Sequence, residues 1–459
     1  METIASIILA AGKSKRMKTA LPKTLHRIAG QEIIRYPLNV CRDLSLSPVI
    51  VVISPNNEQL KNIIKENKML SVEQDPPLGT GHAVMQTERL LDKFKGYVLI
   101  LCGDTPLLTQ KTISDFINFT KEAKATCGIL TAEMSDPASY GRIIRNQSGE
   151  ITKIVEAKDL LKEQSNIYEI NSGVYCILNQ SLFKFLKEIT PNNKQNEYYL
   201  TDIIEHMINS REKVVGFKID NPDELTGINT RNDLALATSI MRNRINEKHM
   251  QNGVTIIDPQ TTYIDHAVSI SADTTIWPNT HIYGKTRIGK NCTIETGSII
   301  KDTKISDNVH VKPYCVIEES FIDSKTVIGP FARLRPESKL GKNVRIGNFV
   351  EIKKSKIMQG TKANHLSYIG DSEIGANVNI GCGTITCNYD GVKKYKTIIE
   401  DNVFVGSDSQ FIAPVKIGKG ATIGAGSTIT ENVPPNSLAL SRSKQVIKKD
   451  WKRKEKTDK

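Results

Sequence analysis

Several groups of residues in this chain have types and spacing suited to chemistry on anions. The first is Leu9-Ala10-Ala11-Gly12-Lys13-Ser14-Lys15-Arg16-Met17, an apolar stretch that turns small and then basic. Small residues at the end of a strand let backbone N–H groups approach a phosphate, and Arg16 adds charge. The spacing is neither G-x-G-x-x-G nor Walker A, so this run alone does not fix a ligand. Lys23, in Leu21-Pro22-Lys23, offers a second cation, and Leu78-Gly79-Thr80-Gly81-His82-Ala83 again has glycines for close backbone approach. The apolar run 97–101 leads into Cys102-Gly103-Asp104-Thr105-Pro106-Leu107. A carboxylate at the C-terminal end of a sheet strand is where a ligand-bound metal would be held. The same Asp also fits a turn or helix cap.

A different chemistry is set out further along. Gly360-Thr361-Lys362-Ala363-Asn364-His365-Leu366-Ser367-Tyr368 falls between Ile352 and Ile374, where a regular apolar spacing lapses. A second lapse, between Thr386 and Ile399, holds Cys387-Asn388-Tyr389-Asp390-Gly391-Val392-Lys393-Lys394. Loops ejected from a rigid scaffold are a natural place for binding groups. Of the eight histidines, His365 alone lies in such an insertion. A lone loop histidine is often incidental, but Arg335, Lys353, Tyr368 and Asn379 can converge from adjacent coils, a set suited to an anionic sugar.

The scaffold is legible as a ladder. Ile264, Ile270, Ile276, Ile282, Ile288, Ile294 and Ile300 fall on every sixth residue. Two positions before each of the last six sits Val268, Thr274, Thr280, Thr286, Cys292 or Ser298. In extended chain, residues i and i−2 share a face, whereas a helix would need spacings of three and four. A fixed short period with one buried residue per repeat marks a hexapeptide β-solenoid. The series continues in triplets to Ile417, Ile423 and Ile429. Three flat faces and roughly nine coils over 264–429 are expected. A β-sandwich would instead show turn signals and no fixed register.

Residues 1–229 alternate apolar strands (Ile4–Ala10, Pro48–Ile53, Tyr97–Leu101, Ala125–Leu130, Ser172–Leu178) with helical patterns, the βαβ rhythm of a doubly wound α/β sheet. Residues 230–250 read as a linker helix with Leu234, Thr238, Met241 and Ile245 on one stripe. Residues 251–459 hold the solenoid and a basic tail, Lys448–Lys459. The run Ile4–Ala11 lacks a basic flank and is too short for a signal peptide, and no run approaches the ~18 apolar residues of a membrane span. Eight scattered cysteines without zinc spacing suit reduced thiols in the cytoplasm. The net charge of +12 suits anionic partners, but no aromatic-interleaved basic patch points to nucleic acid. Neither nucleic acid nor membrane is expected as a partner.

Taken in order, Leu9–Met17, Lys23, Gly79-Thr80, Gly103-Asp104, Tyr140-Gly141, Glu156, Asn171-Ser172-Gly173 and Gly227-Ile228-Asn229 resemble the sugar-1-phosphate nucleotidyltransferases. With the solenoid added, nearly the whole chain resembles the bifunctional bacterial N-acetylglucosamine-1-phosphate uridylyltransferase / glucosamine-1-phosphate N-acetyltransferase family. The resemblance implies a Rossmann-like nucleotidyltransferase domain joined by a helix to a left-handed parallel β-helix. It implies UTP, acetyl-CoA and glucosamine 1-phosphate as substrates, Mg²⁺ as cofactor, and a homotrimer with sites between subunits. It assigns Leu9, Ala10, Ala11, Gly12, Gln74, Gly79 and Thr80 to the uridine nucleotide, with Arg16 and Lys23 neutralising phosphates. Asp104 and Asn229 would hold the metal, and Gly141, Glu156 and Asn171 would contact the amino sugar. On the solenoid, His365 would be the general base, Arg335 and Lys353 would grip the sugar phosphate, and Tyr368 and Asn379 would touch the sugar. Asn388 and Tyr389 would meet both ligands, with Cys382, Ser407, Ala425 and Arg442 along the acetyl-CoA site. Glu351 is a candidate to orient His365. The chain departs from the family at Ser14-Lys15, where relatives usually carry Gly-Thr, at Cys102 for Tyr and at Cys382 for Ala. A competing reading keeps only the nucleotidyltransferase, with the solenoid as an oligomerisation or regulatory scaffold; the set around His365 argues against it.

Overall fold

The computed structural model describes residues 3–12, 14–137 and 139–453, and the chain divides into two compact units, Met1–Met241 and Arg242–Lys459. Lys13 of the first loop and residues 454–459 of the basic tail lie outside the described residues.

The first unit is built on a nine-stranded mixed sheet. Its central order is Val214–Ile219, Cys127–Glu133, Glu169–Leu178, Tyr97–Cys102, Ala5–Ala10, Val49–Ile53, Leu70–Glu73. Ala5–Ala10 lies parallel to both of its neighbours, while Glu169–Leu178 runs antiparallel between Tyr97–Cys102 and Cys127–Glu133. Every residue of Val49–Ile53 is buried, as expected for a strand covered on both faces. Successive side chains feed opposite cores: Ile7, Ile50 and Ile100 join one cluster, and Ile8, Val51 and Leu99 the other. The helices Arg35–Asp43 and Gln110–Glu122 cover one side, and Asn179–Leu186 and Asp202–Asn209 the other. The helix Arg231–Gln251 then carries the chain into the second unit.

The second unit is a parallel β-helix of three sheets with eleven, ten and nine strands. The second face shows the register: Ile264 pairs with Ile282, then Ile300, Ile317, Leu334, Ile352 and Ile369 in unbroken succession. These side chains are buried and stack along the axis. The small residues two positions earlier close the corners, as when Thr280 and Thr286 hydroxyls donate to the Trp277 and Tyr283 carbonyls at 2.7 Å. Asp273, Asn279, Asn291, Asn308 and Asn343 adopt positive φ at corners, a conformation Asn and Asp tolerate best after glycine. Pairing starts one rung before Ile264, at Thr255–Ile256, and runs to Leu438–Ala439.

One expectation fails. The stretch between Ile352 and Ile374 is a regular coil: Ile357, Ala363 and Ile369 supply its three buried rungs. His365 therefore ends a strand, Lys362–His365, rather than sitting in an ejected loop. Corners one residue shorter than usual at both ends of the stretch, and an alanine in an isoleucine position, hide the repeat. The second lapse is a true excursion, closed by an antiparallel bridge between Tyr389 and Lys394. No helix among the described residues is long and apolar enough to cross a membrane.

Truncating a central rung, Ile352→Ala, should cost about 2–4 kcal/mol of stability by chemical denaturation, since a buried isoleucine leaves a cavity in a stacked core. A loss below about 1 kcal/mol would contradict closed packing along the axis.

Candidate active sites

The first site lies at the C-terminal edge of the parallel strands, where α/β sheets bind their ligands. Leu9, Ala10, Ala11 and Gly12 leave the first strand into a cleft of about 760 Å³ that Arg16, Lys23, Gln74, Gly79, Thr80 and Asp104 also line. Gly103 N–H donates to the Leu9 carbonyl at 2.9 Å, so the two strand ends that carry the phosphate loop and Asp104 are tied together. Gly79 has φ +108°, and a Cβ there would fall 2.6 Å from the Tyr198 carbonyl oxygen. Only glycine fits, and the close approach lets Thr80 Oγ1 accept from Leu200 N–H at 3.0 Å.

Cations and oxygens meet in the middle of this cleft. Lys23 Nζ pairs with Asp104 Oδ2 and donates to Asn229 Oδ1 at 3.0 Å, while Arg16 Nη2 donates to the same Asn229 oxygen at 2.9 Å. The backbone makes this possible, because Ile228 N–H donates to the Asp104 carbonyl at 3.0 Å. Ser14 has a use of its own: its hydroxyl accepts the Lys23 backbone N–H at 2.7 Å, fastening the phosphate loop to the turn that carries the ammonium.

Gly141, Glu156 and Asn171 do not themselves line this cleft; Glu156 reaches it only through its charge on Cys102, which does. Asn171 pairs in register with Gly141 and donates to Tyr175 Oη at 2.8 Å, and the Cys102 thiol reaches the Gly173 carbonyl at 3.7 Å. Burial pushes the Glu156 carboxyl above its ordinary range against the Thr201 hydroxyl that donates to it at 3.2 Å. Burial likewise lifts the Cys102 thiol to about 12, so it stays protonated and inert at neutral pH.

On the β-helix, Arg335, Lys353 and Tyr368 stand on neighbouring rungs of the second face. Arg335 Nη1 donates to Glu351 Oε1 at 2.9 Å. Lys353 is pressed against Lys394, which, with some burial, holds its pKa below the ordinary lysine value. Two ammonium groups brought together, with the Asp371 carboxylate only partly offsetting them, suit a further anion. Asn388 is buried and donates to Asp371 at 2.5 Å, while Tyr389 is exposed beside it.

His365 sits at the end of a first-face strand, with Nδ1 3.0 Å from Asn348 Oδ1, in a pocket of about 500 Å³ that Lys312 and Arg345 also line. Asn348, one coil below, orients it; Glu351, the candidate from the sequence, is engaged by Arg335 instead. Asn379 lies on the first face between Lys362 and Phe404, so a single chain does not bring it to the second-face group. Cys382, Ser407 and Ala425 occupy equivalent corners of successive coils, linked by Asp408 N–H to the Cys382 carbonyl at 2.6 Å and Gly426 N–H to the Ser407 carbonyl at 2.8 Å. Arg442 Nη1 donates to the Ala425 carbonyl at 2.8 Å, closing that column.

Residues 5–222 match the family Nucleotidyl transferase, residues 259–338 and 316–406 the GMPPB C-terminal domain, and residues 396–431 Bacterial transferase hexapeptide (six repeats). The bifunctional protein GlmU of Acetivibrio thermocellus is 49% identical over 98% of this chain and 97% of its own length. That of Geotalea daltonii is 47% identical over 99% of this chain and 100% of its own, and that of Clostridium novyi 46% over 97% and 98%. The chain belongs to the GlmU family. Three side chains join those singled out from sequence. Asn348 was discoverable from the coil length, Lys394 stood unassigned in the excursion, and Lys158 faces the nucleotide cleft from the opposite wall.

The first site also fits a divalent cation. Asp104 and Asn229 turn oxygens toward one point, at present shared by a single ammonium, and hard oxygen donors are what magnesium takes. Among the described residues no group of three or more His, Cys, Asp or Glu converges, so substrate phosphates and water would have to complete the shell. Removing the competing ammonium gives a direct check. Lys23→Met should tighten Mn²⁺ binding to the nucleotide-free protein by roughly threefold or more in titration calorimetry, and Asp104→Asn should abolish that gain.

Proposed function

We propose that this chain makes UDP-N-acetylglucosamine at two sites: acetyl transfer from acetyl-CoA to glucosamine 1-phosphate on the β-helix, then uridylyl transfer from UTP to N-acetylglucosamine 1-phosphate in the sheet cleft. The observation that carries this reading is the presence, on one chain, of two separately built anion sites, of which, among the described residues, one is lined by an imidazole and the other by a carboxylate paired with an ammonium.

On the β-helix the sugar amine nitrogen attacks the thioester carbonyl carbon, the C–S bond breaks, and coenzyme A leaves as the thiol. Asn348 Oδ1 can only accept, so the His365 proton sits on Nδ1 and the lone pair on Nε2, where it takes the proton from the attacking amine. Arg335, Lys353 and Lys394 receive the phosphate, and Cys382, Ser407, Ala425 and Arg442 flank the coenzyme. Tyr368, Asn379, Asn388 and Tyr389 complete the site. The separation of Asn379 from the second-face group supports a homotrimer, in which a second copy supplies what one chain lacks.

In the cleft the phosphate oxygen of N-acetylglucosamine 1-phosphate attacks the α-phosphorus of UTP in line, the bond to the β-phosphate breaks, and pyrophosphate leaves. Such a transfer needs alignment and charge neutralisation more than covalent help. Leu9–Gly12, Gln74, Gly79 and Thr80 seat the nucleotide, and Gly141, Glu156 and Asn171 seat the sugar. Arg16 and Lys23 balance the phosphates. A magnesium ion on Asp104 and Asn229 would add positive charge to the phosphate oxygens.

Omission assays test the whole: with glucosamine 1-phosphate, acetyl-CoA, UTP and Mg²⁺ supplied, UDP-N-acetylglucosamine should form, and withholding any one should stop it. His365→Ala should lower acetyl transfer by at least about a hundredfold and leave uridylyl transfer within about twofold. Asp104→Asn should do the reverse. Parallel loss of both activities in either variant would sink the two-site assignment. Lys394→Met should raise KM for glucosamine 1-phosphate about tenfold with a smaller change in kcat, as expected for a cation that grips the phosphate.

A further inference from the structure

The cleft holds one amide whose orientation is set from behind. Gln74 follows the strand Leu70–Glu73, is buried, and donates its backbone N–H to the Ile53 carbonyl at 2.9 Å. Its Nε2 lies 2.8 Å from the Gly79 carbonyl oxygen and 3.2 Å from His82 Nδ1. A carbonyl oxygen only accepts, so the nitrogen of the amide must face Gly79, and its second hydrogen points at the imidazole. Among the described residues no donor meets Gln74 Oε1, which is left on the open side of a residue that lines the cleft.

His82 lies in the helix Thr80–Met85, beside the Tyr198 ring at 6.4 Å between centroids. Its other nitrogen, Nε2, is 3.1 Å from Gln86 Nε2, and Gln86 also donates to the His82 carbonyl at 3.0 Å. A neutral imidazole carries one proton, so it cannot accept from both amides. Both amides are also held by a backbone carbonyl, but Gln74 is buried whereas Gln86 is half-exposed, where solvent can satisfy an amide that the ring does not accept. The proton therefore sits on Nε2 and the lone pair on Nδ1. Burial lowers the pKa of His82, which keeps the ring neutral.

We propose that His82 is a positioning residue for nucleobase choice: its Nδ1 lone pair holds Gln74 with Oε1 toward the base, and so admits uracil over cytosine. This rests on the reading above that Gln74 faces the base. Uracil presents N3–H, which donates to Oε1; cytosine presents a bare N3, which meets that oxygen lone pair to lone pair. A site built around one hydrogen bond rejects the analogue that lacks the matching group strongly. Without the imidazole, only the Gly79 carbonyl opposes a turned amide, and Nε2 can then donate to cytosine N3.

The test is the ratio of kcat/KM for UTP and CTP, measured in competition on the full chain with N-acetylglucosamine 1-phosphate and Mg²⁺. His82→Phe keeps a ring of similar size without the lone pair and should lower the ratio at least about tenfold. His82→Asn, whose Oδ1 can replace Nδ1 as acceptor, should keep the ratio within about threefold. Acetyl transfer should be unchanged in both. If His82→Phe weakens use of both nucleotides equally, His82 merely packs and the inference is overturned. Should that variant not fold, His82→Leu is read by the same ratio. A native protein that uses UTP and CTP alike would instead refute the base-site reading beneath it.

Discussion

Backbone pairing between successive coils is the constraint on which the second unit depends. Each strand is only a few residues long and has no independent stability, yet its N–H and C=O groups are satisfied by the rungs on either side. A slip by one residue would turn the buried isoleucines outward along an entire face. The register is therefore locked, and outward residues are locked with it into straight columns. Arg335, Lys353 and Tyr368 are neighbours for this reason, as are Cys382, Ser407 and Ala425 on their corner. Chemistry on such a surface is a matter of which side chain the column carries at a given height.

The first unit reaches similar rigidity by a different route. Strands buried on both faces hold their ends in a row, and the loops leaving those ends are stitched by main-chain hydrogen bonds: Gly103 to Leu9, Ile228 to Asp104, Tyr198 to Leu78. Segments 81 to 206 residues apart in sequence thereby deliver Lys23, Asp104 and Asn229 to one point. The glycine at 79 belongs to the same scheme, since any side chain there would collide with the Tyr198 backbone and push apart the two walls of the cleft.

How much of this was legible beforehand depended on whether a feature was periodic. The isoleucine ladder announced the β-helix, and strand ends followed by glycines announced the nucleotide cleft. The coil Ile357–Ala363–Ile369 was not legible, because two short corners displaced the spacing and Ala363 carried too little apolar signal. That single omission misplaced His365 in a loop and hid Asn348, which is its neighbour only once the coil is counted. The hairpin Gly141–Arg145 with Ile151–Val155 also escaped, its strands mixing buried and exposed positions without the long apolar runs of the central sheet. Asn379 shows the opposite limit: its column is predictable, but that column lies on a different face from Arg335, Lys353 and Tyr368. His82 gave no signal either, for what it does depends on where Gln74 and Gly79 come to rest.

The ammonium lodged between Asp104 and Asn229 also means that the empty cleft is electrically settled. A carboxylate left bare there would draw stray cations and pay in desolvation. Instead it is already matched, and a triphosphate bringing its own counterion would trade one positive charge for another. Lys23, once displaced from the carboxylate, would be the group nearest to hand for the phosphate oxygens.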